Sequence, residues 1–228
     1  MTPALPHHGH RSRLRERLRK DAALLADYEI LELLLGYALP RRDTKPLAKE
    51  LLARFKSLRG VLEAPEEALR DLDGIGPGVQ AFFALLRECR ARFAESALPA
   101  KTKVTSTAMV AAMARERLAG RSHEEVWLAY LDTQNRMLSW EKYHKGTVDA
   151  SVVYPRDILE RCLLLKASAF IIVHNHPGGS AAPSGADLQI TEQLKRSAQA
   201  LGVRFLDHLI VTDAESFSLL NDGLLDGV

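Results

Sequence analysis

The sequence predicts an α/β chain of the α+β kind: an N-terminal all-helical domain, then a mixed β-sheet flanked by helices. Three observations carry this. Apolar residues recur at helical spacing through residues 11–93, strand-like runs alternate with helical stretches from Glu124 onward, and a segment from Ser96 to Lys103 with Pro99 and small residues separates the two. With 228 residues, 46% of them hydrophobic, the chain can bury a substantial core and is long enough for two modest domains.

Residues 1–10 read as a disordered lead, in which His7, His8 and His10 lack a fixed partner carboxylate. The helical domain spans 11–98. Its first helix carries Arg11, Arg13, Arg15, Arg17, Arg19 and Lys20, a basic face that either meets phosphates or is solvated. Tyr28–Leu35 gives a second helix ending near Gly36. Asp43-Thr44 before Pro46 starts a third that runs to Phe55, and short helices follow. Asp71-Leu72-Asp73-Gly74-Ile75-Gly76-Pro77-Gly78 resembles the hairpin of a helix-hairpin-helix DNA-binding motif, whose glycines permit a tight turn and whose next helix start offers amides to a phosphate. Asp71 and Asp73 oppose an anion and Pro77 removes an amide donor, so DNA contact and plain packing both stand.

After a linker at 99–104, the second domain covers 105–228. Thr105–Leu118 reads as an alanine- and methionine-rich helix, and Val126–Leu131, within Glu124–Asp132, as a strand. Arg136–His144 and Thr147–Tyr154 flank Gly146 as an antiparallel β unit. Asp157–Leu165 is helical, Ala169–Val173 a buried strand, Asp187–Leu201 a helix, and Val203–Val211 a strand. Trp127 and Trp140 read as packing residues.

The chemistry concentrates between the Ala169 strand and the Asp187 helix. Alternation in an extended segment sets His174 and His176 on one side and Asn175 on the other. Pro177 and the following glycines turn the chain, and Asp187, in the first turn of the next helix, can swing back as a third ligand. Two imidazoles and a carboxylate leave a fourth zinc position for water, whose pKa falls to about 7 on the metal, so hydrolysis is the natural reaction class. Ser184 and Asp187 also fit a helix capping box, and Asp187 taken alone is more often a helix-start residue than a ligand. Spacing alone leaves both roles open.

The string His-x-His, seven residues, Ser, two residues, Asp resembles the signature of the JAMM (MPN-plus) zinc metallopeptidases, and every position of it is met. Tyr154-Pro155-Arg156-Asp157, His174-Asn175-His176-Pro177, Pro183-Ser184, Asp187 and Leu206-Asp207-His208-Leu209-Ile210-Val211 resemble, in order and spacing, the landmarks of the bacterial RadC family. The likeness spans nearly the whole chain; Gly178 stands where that family usually has serine, a position without a metal or catalytic role. The resemblance implies a JAMM/MPN domain of cytidine-deaminase-like fold, with Zn2+ held by His174, His176 and Asp187. It also implies an upstream glutamate that takes a proton from water and passes it to the leaving amine. The family pattern places that glutamate eight residues before Asp132, which selects Glu124, with Glu125 in reserve. Ser184 carries over as the hydroxyl that hydrogen-bonds the oxyanion. Asp207-His208 reads either as a pair supporting the site or, preferred, as a buried hydrogen-bonded pair.

Charge and composition narrow the classes. The formal charge is +2, but residues 1–100 hold 17 basic and 14 acidic residues against 14 and 15 in the remainder, so any nucleic-acid surface belongs to the first part. Cys89 and Cys162 form no CxxC pair, which excludes a cysteine zinc site and fits a reducing cytoplasm. No apolar run is long enough for a transmembrane helix and the start lacks a secretory signal, so no membrane partner is expected. The expected function is a cytoplasmic zinc-dependent hydrolase, a metallopeptidase or isopeptidase acting on a peptide or protein. The alternative is a DNA-associated repair or recombination factor, working through residues 11–93 with a metal-dependent nuclease or DNA-binding role. A third reading, a non-enzymatic interaction module, is opposed by the complete ligand set.

Overall fold

The computed structural model describes residues 7–70, 72–96, 102–143 and 153–224. The chain divides into two compact units, residues 1–87 and 88–228. The first contains α1 (His7–Lys20), α2 (Asp27–Ala38), α3 (Lys45–Phe55), α4 (Leu58–Glu63), α5 (Glu66–Arg70) and the first half of α6 (Pro77–Ser96). Helix α1 begins at His7, inside the expected lead; residues 1–6 of that lead lie outside the described residues. Leu31, Leu35, Leu51, Val61, Leu69 and Phe83 form the centre of this unit's core.

The basic face of α1 is partly turned inward. Arg11 is buried; its guanidinium donates to the Pro40 carbonyl at 2.7 Å and to the Arg42 carbonyl, which ties down the loop after α2. Gly36 makes room for it, since a Cβ there would meet Arg11 Nε at 3.1 Å. Arg17 pairs with Glu29 at 2.7 Å. Thr44 is the N-cap residue of α3, but its Oγ1 donates to the Glu32 carbonyl, and Asp43 Oδ1 accepts from Lys45 N at 3.1 Å. At the hairpin, Gly74 takes φ +89°, the left-handed conformation that favours glycine, and Pro77 opens α6. Asp71 lies outside the described residues.

The second unit includes the last part of α6, where Glu88 and Glu95 both pair with Arg117 at 2.7 Å. The division therefore falls within a helix, upstream of the expected linker at 99–104, of which residues 99–101 lie outside the described residues. Helix α7 (Thr107–Leu118) leads to β1 (Val126–Leu131), β2 (Met137–Lys142), α8 (Pro155–Leu165), β3 (Ala169–Asn175), α9 (Gly185–Ala200), β4 (Arg204–Val211) and β5 (Ser216–Ser218). The sheet order is β2-β1-β3-β4-β5. Strands β3 and β4 are parallel, so they need the crossover that α9 supplies, and the remaining neighbours are antiparallel. Strand β2 pairs with β1; of the expected Thr147–Tyr154 strand, residues 147–152 lie outside the described residues, and Tyr154 is the N-cap residue of α8.

Both faces of this sheet are covered, and alternation sorts the side chains between them. Leu128, Tyr130, Phe170 and Ile172 pack under α8 and α9 against Ile158, Cys162, Leu194 and Ala198. Ala129, Leu131, Ile171 and Val173 pack on the other face against Val110, Ala114 and Leu118 of α7. Trp127 stacks on Trp140 with centroids 5.2 Å apart, the packing role expected of both. The result is a mixed sheet between helices, the α+β architecture expected from the sequence.

Candidate metal centre

The site forms at the carboxyl end of β3. His174 continues the face of Phe170 and Ile172, towards α9, and Asn175 continues the face of Ile171 and Val173. Beyond the strand, Gly179 takes φ +85° and its amide donates to the His176 carbonyl at 3.1 Å, closing a turn. His174 Nε2 and His176 Nε2 then lie 2.9 Å apart.

Ser184 starts α9 and fixes the third residue. Its Oγ accepts from Asp187 N at 3.2 Å, while Asp187 Oδ2 accepts from Ser184 N at 2.7 Å and from Ser184 Oγ at 2.6 Å. This capping box locks the carboxylate with Oδ1 3.3 Å from His174 Nε2 and Oδ2 3.5 Å from His176 Nε2. The helix-start role and the site role of Asp187 therefore coexist. One donor atom from each of His174, His176 and Asp187 lies within 4.8 Å of the others.

These donors suit a cation. His176 Nδ1 lies 2.9 Å from the Ser180 carbonyl, which only accepts, so the ring proton sits on Nδ1 and the Nε2 lone pair faces the cluster. Burial pushes His174 down to about 4, which keeps it neutral near pH 7. Burial works to raise the Asp187 pKa, but the Ser184 hydrogen bond and the His174 ring bring it below its ordinary value, so it is a carboxylate. Two imidazoles and a carboxylate with one side open to a pocket could hold a metal ion.

Strand pairing brings Glu124 to the same place. Val126 lies opposite His174 in the antiparallel β1–β3 register, so Glu124, two residues earlier on the same face, falls at the mouth of the site. Although Glu124 is exposed as a whole residue, burial of its carboxyl group raises its pKa, and Asp187 adds to that. Glu125 faces away. Its carboxylate meets Lys142 Nζ at 2.9 Å and accepts from Trp127 Nε1 at 3.1 Å. Burial raises its pKa, but Lys142 and Trp127 outweigh this and hold it below the ordinary value.

Asn175, which the sequence places away from the metal, has work there. Its Oδ1 accepts from Glu125 N at 2.8 Å and its Nδ2 donates to the His123 carbonyl at 3.1 Å. The residue between the two histidines thus clamps the backbone on both sides of Glu124.

Asp207 and His208 are the buried hydrogen-bonded pair preferred from sequence, since His208 N donates to Asp207 Oδ1 at 2.8 Å, and His208 also supports the site. His208 Nε2 lies 2.8 Å from His174 Nδ1 and its ring lines the pocket, whereas Asp207 accepts from Ser218 Oγ at 2.6 Å and Leu220 N at 3.0 Å. A register shift separates them from the start of β4: Phe170 pairs with Phe205 but Ile171 pairs with Asp207. The extra residue inverts the alternation, so Phe205 and His208 share a face.

The pocket, of about 340 Å³, is lined by Glu124, His174, His176, Ser184, Asp187 and His208, with apolar walls from Val126, Val153, Ile172 and Ile190 and carboxamides from Gln189 and Gln193. Among the described residues, neither lysine nor arginine lines it. Residues 104–224 match the family model described as RadC-like JAB domain, which covers more than half of the chain. The family and the His174, His176 and Asp187 cluster together support metal-dependent hydrolysis.

Proposed function

Because this chain belongs to the RadC-like JAB domain family, we propose that it is a zinc-dependent hydrolase acting on an amide bond, a metallopeptidase or isopeptidase. The observation that carries this reading is the convergence of His174, His176 and Asp187 beside a further acid, Glu124, in one pocket. Bound there, zinc would supply a Lewis acid for the scissile carbonyl and acidify water to a pKa of about 7.

The chain's own groups then divide the remaining work. His174 Nε2, His176 Nε2 and one Asp187 oxygen hold the ion. The Glu124 carboxylate accepts a proton from the attacking water and returns it to the leaving amine nitrogen, a role suited by a pKa raised towards the working pH. Ser184 lines the pocket and can donate a hydrogen bond from its hydroxyl to a developing oxyanion; at rest that hydroxyl donates to Asp187 Oδ2, so it must turn.

An amide is favoured over a phosphodiester because the lining offers two carboxylates and, among the described residues, no lysine or arginine, a poor reception for a phosphate. Contact of residues 11–93 with DNA is a separate proposal, narrowed now that Arg11 and Arg17 are engaged within their own unit. A panel of peptide, branched isopeptide and branched DNA substrates tests the assignment on zinc-loaded protein. Amide cleavage absent from a folded His174→Ala variant is expected. DNA cleavage lost in that variant, with every amide intact, would reverse it.

A further inference from the structure

Behind the ligands runs a chain of three hydrogen bonds whose direction can be read from one end. The Asp187 carbonyl can only accept, and Thr191 Oγ1 lies 2.6 Å from it, so the single hydroxyl proton of Thr191 points there. The same oxygen is 2.6 Å from His208 Nδ1 and has only lone pairs left, so His208 carries its proton on Nδ1. In the neutral ring, Nε2 is then an acceptor, and the contact of 2.8 Å to His174 Nδ1 requires His174 to donate. His174 therefore keeps its proton on Nδ1 and turns a bare Nε2 lone pair to the place where His176 Nε2 stands 2.9 Å away.

We infer that Thr191 and His208 are positioning residues for the metal centre: together they set the tautomer and ring angle of His174 and fasten it to the backbone of the helix that supplies Asp187. The placement supports this. Thr191 and His208 are both buried, at 4% and 1% exposure, so water does not compete for these bonds. They arise from two further points of the fold, the second turn of α9 and the residue that the β4 register shift turns towards the site. Hydrogen-bond partners of this kind are worth about 10- to 100-fold in metal affinity. Without the relay, His174 is free to place its proton on Nε2 and share it with His176, which closes the site to a cation.

This inference rests on the metal-binding reading, and the test separates the two. Zinc affinity of the full chain is measured by chelator competition for wild type, Thr191→Val, Thr191→Ser and His208→Gln. In parallel, histidine nitrogen NMR of the metal-free protein reports the tautomers. Thr191→Val, which keeps the shape but loses the hydroxyl, is expected to weaken zinc about 10-fold, and His208→Gln about 10- to 100-fold. Thr191→Ser, which keeps the hydroxyl but loses a methyl, is expected to stay near wild type, with His174 protonated at Nδ1. The opposite order for the two Thr191 variants would make Thr191 a packing residue and overturn the inference, as would a His174 proton on Nε2 in the wild type. Should His208→Gln fail to fold, the Thr191 pair decides. A wild type that shows the expected tautomers but takes up no zinc would instead defeat the metal reading, and the positioning role with it.

Discussion

Glu124 and Glu125 are neighbours of the same type in opposite environments. Glu125 is buried on the α7 face of the sheet, where Lys142, His123 and the Trp127 indole surround its carboxylate. Glu124 stands on the α9 face at the mouth of a pocket without lysine or arginine among the described residues, beside a second carboxylate, Asp187. One pKa is driven down and the other up, and strand alternation alone decides which acid meets which surroundings. A paired acid ties the start of β1 to β2, while its neighbour, without an ion-pair partner among the described residues, is left able to exchange a proton.

The sharpest way to break this comparison is to remove each charge in turn. Glu124→Gln is expected to lower amide turnover by about 10²- to 10⁴-fold while zinc content and thermal stability stay near wild type. Loss of zinc in that variant would make Glu124 a ligand and not a proton carrier. Next in size, Asn175→Ala removes the clamp that holds the Glu124 segment to β3. Misplacing a reacting group by about 1 Å costs on the order of 10²-fold, so turnover should fall by that much with zinc affinity little changed. Unchanged turnover would show that the clamp does not position Glu124.

Glu125→Gln should act on stability instead, by about 1.5 kcal/mol in a denaturant titration, because it removes the charge of a buried carboxylate that accepts from Trp127 and meets the partly exposed Lys142. Its pH dependence has a definite sign. A carboxyl whose folded pKa lies below the ordinary 4.5 contributes stability above that value and loses it as pH falls through the folded pKa. The gap between wild type and Glu125→Gln should therefore narrow in acid. A gap that widened in acid, or a variant as stable as wild type at neutral pH, would remove the contrast between the two acids.

Much of this centre was legible in the sequence because its signals are local. Ala169–Val173 reads as a buried strand, alternation sends His174 and Asn175 to opposite sides, and Ser184 with Asp187 spells a capping box; the structure contains each of these features. The helices of residues 11–93 were legible for the same reason, although α1 starts earlier than expected and α2 runs past Gly36 because Arg11 packs where a side chain would be. What depended on distant pairing was not legible. The partner of β2 is set by the register of β1, and β5 is three residues long, too short for a period to show. For Asp207-His208 the sequence offers both a supporting and a buried hydrogen-bonded role; the register shift that turns His208 alone to the site leaves no mark in the residue pattern.

The central claim is that His174, His176 and Asp187 hold one divalent cation. Its most direct test is elemental analysis of the purified chain after exposure to excess zinc and removal of unbound metal, with His176→Ala alongside. The expected result is about one zinc ion per chain in the wild type and almost none in a variant whose circular dichroism is unchanged. A wild type that retains no zinc, or a variant that retains as much as the wild type, would contradict it.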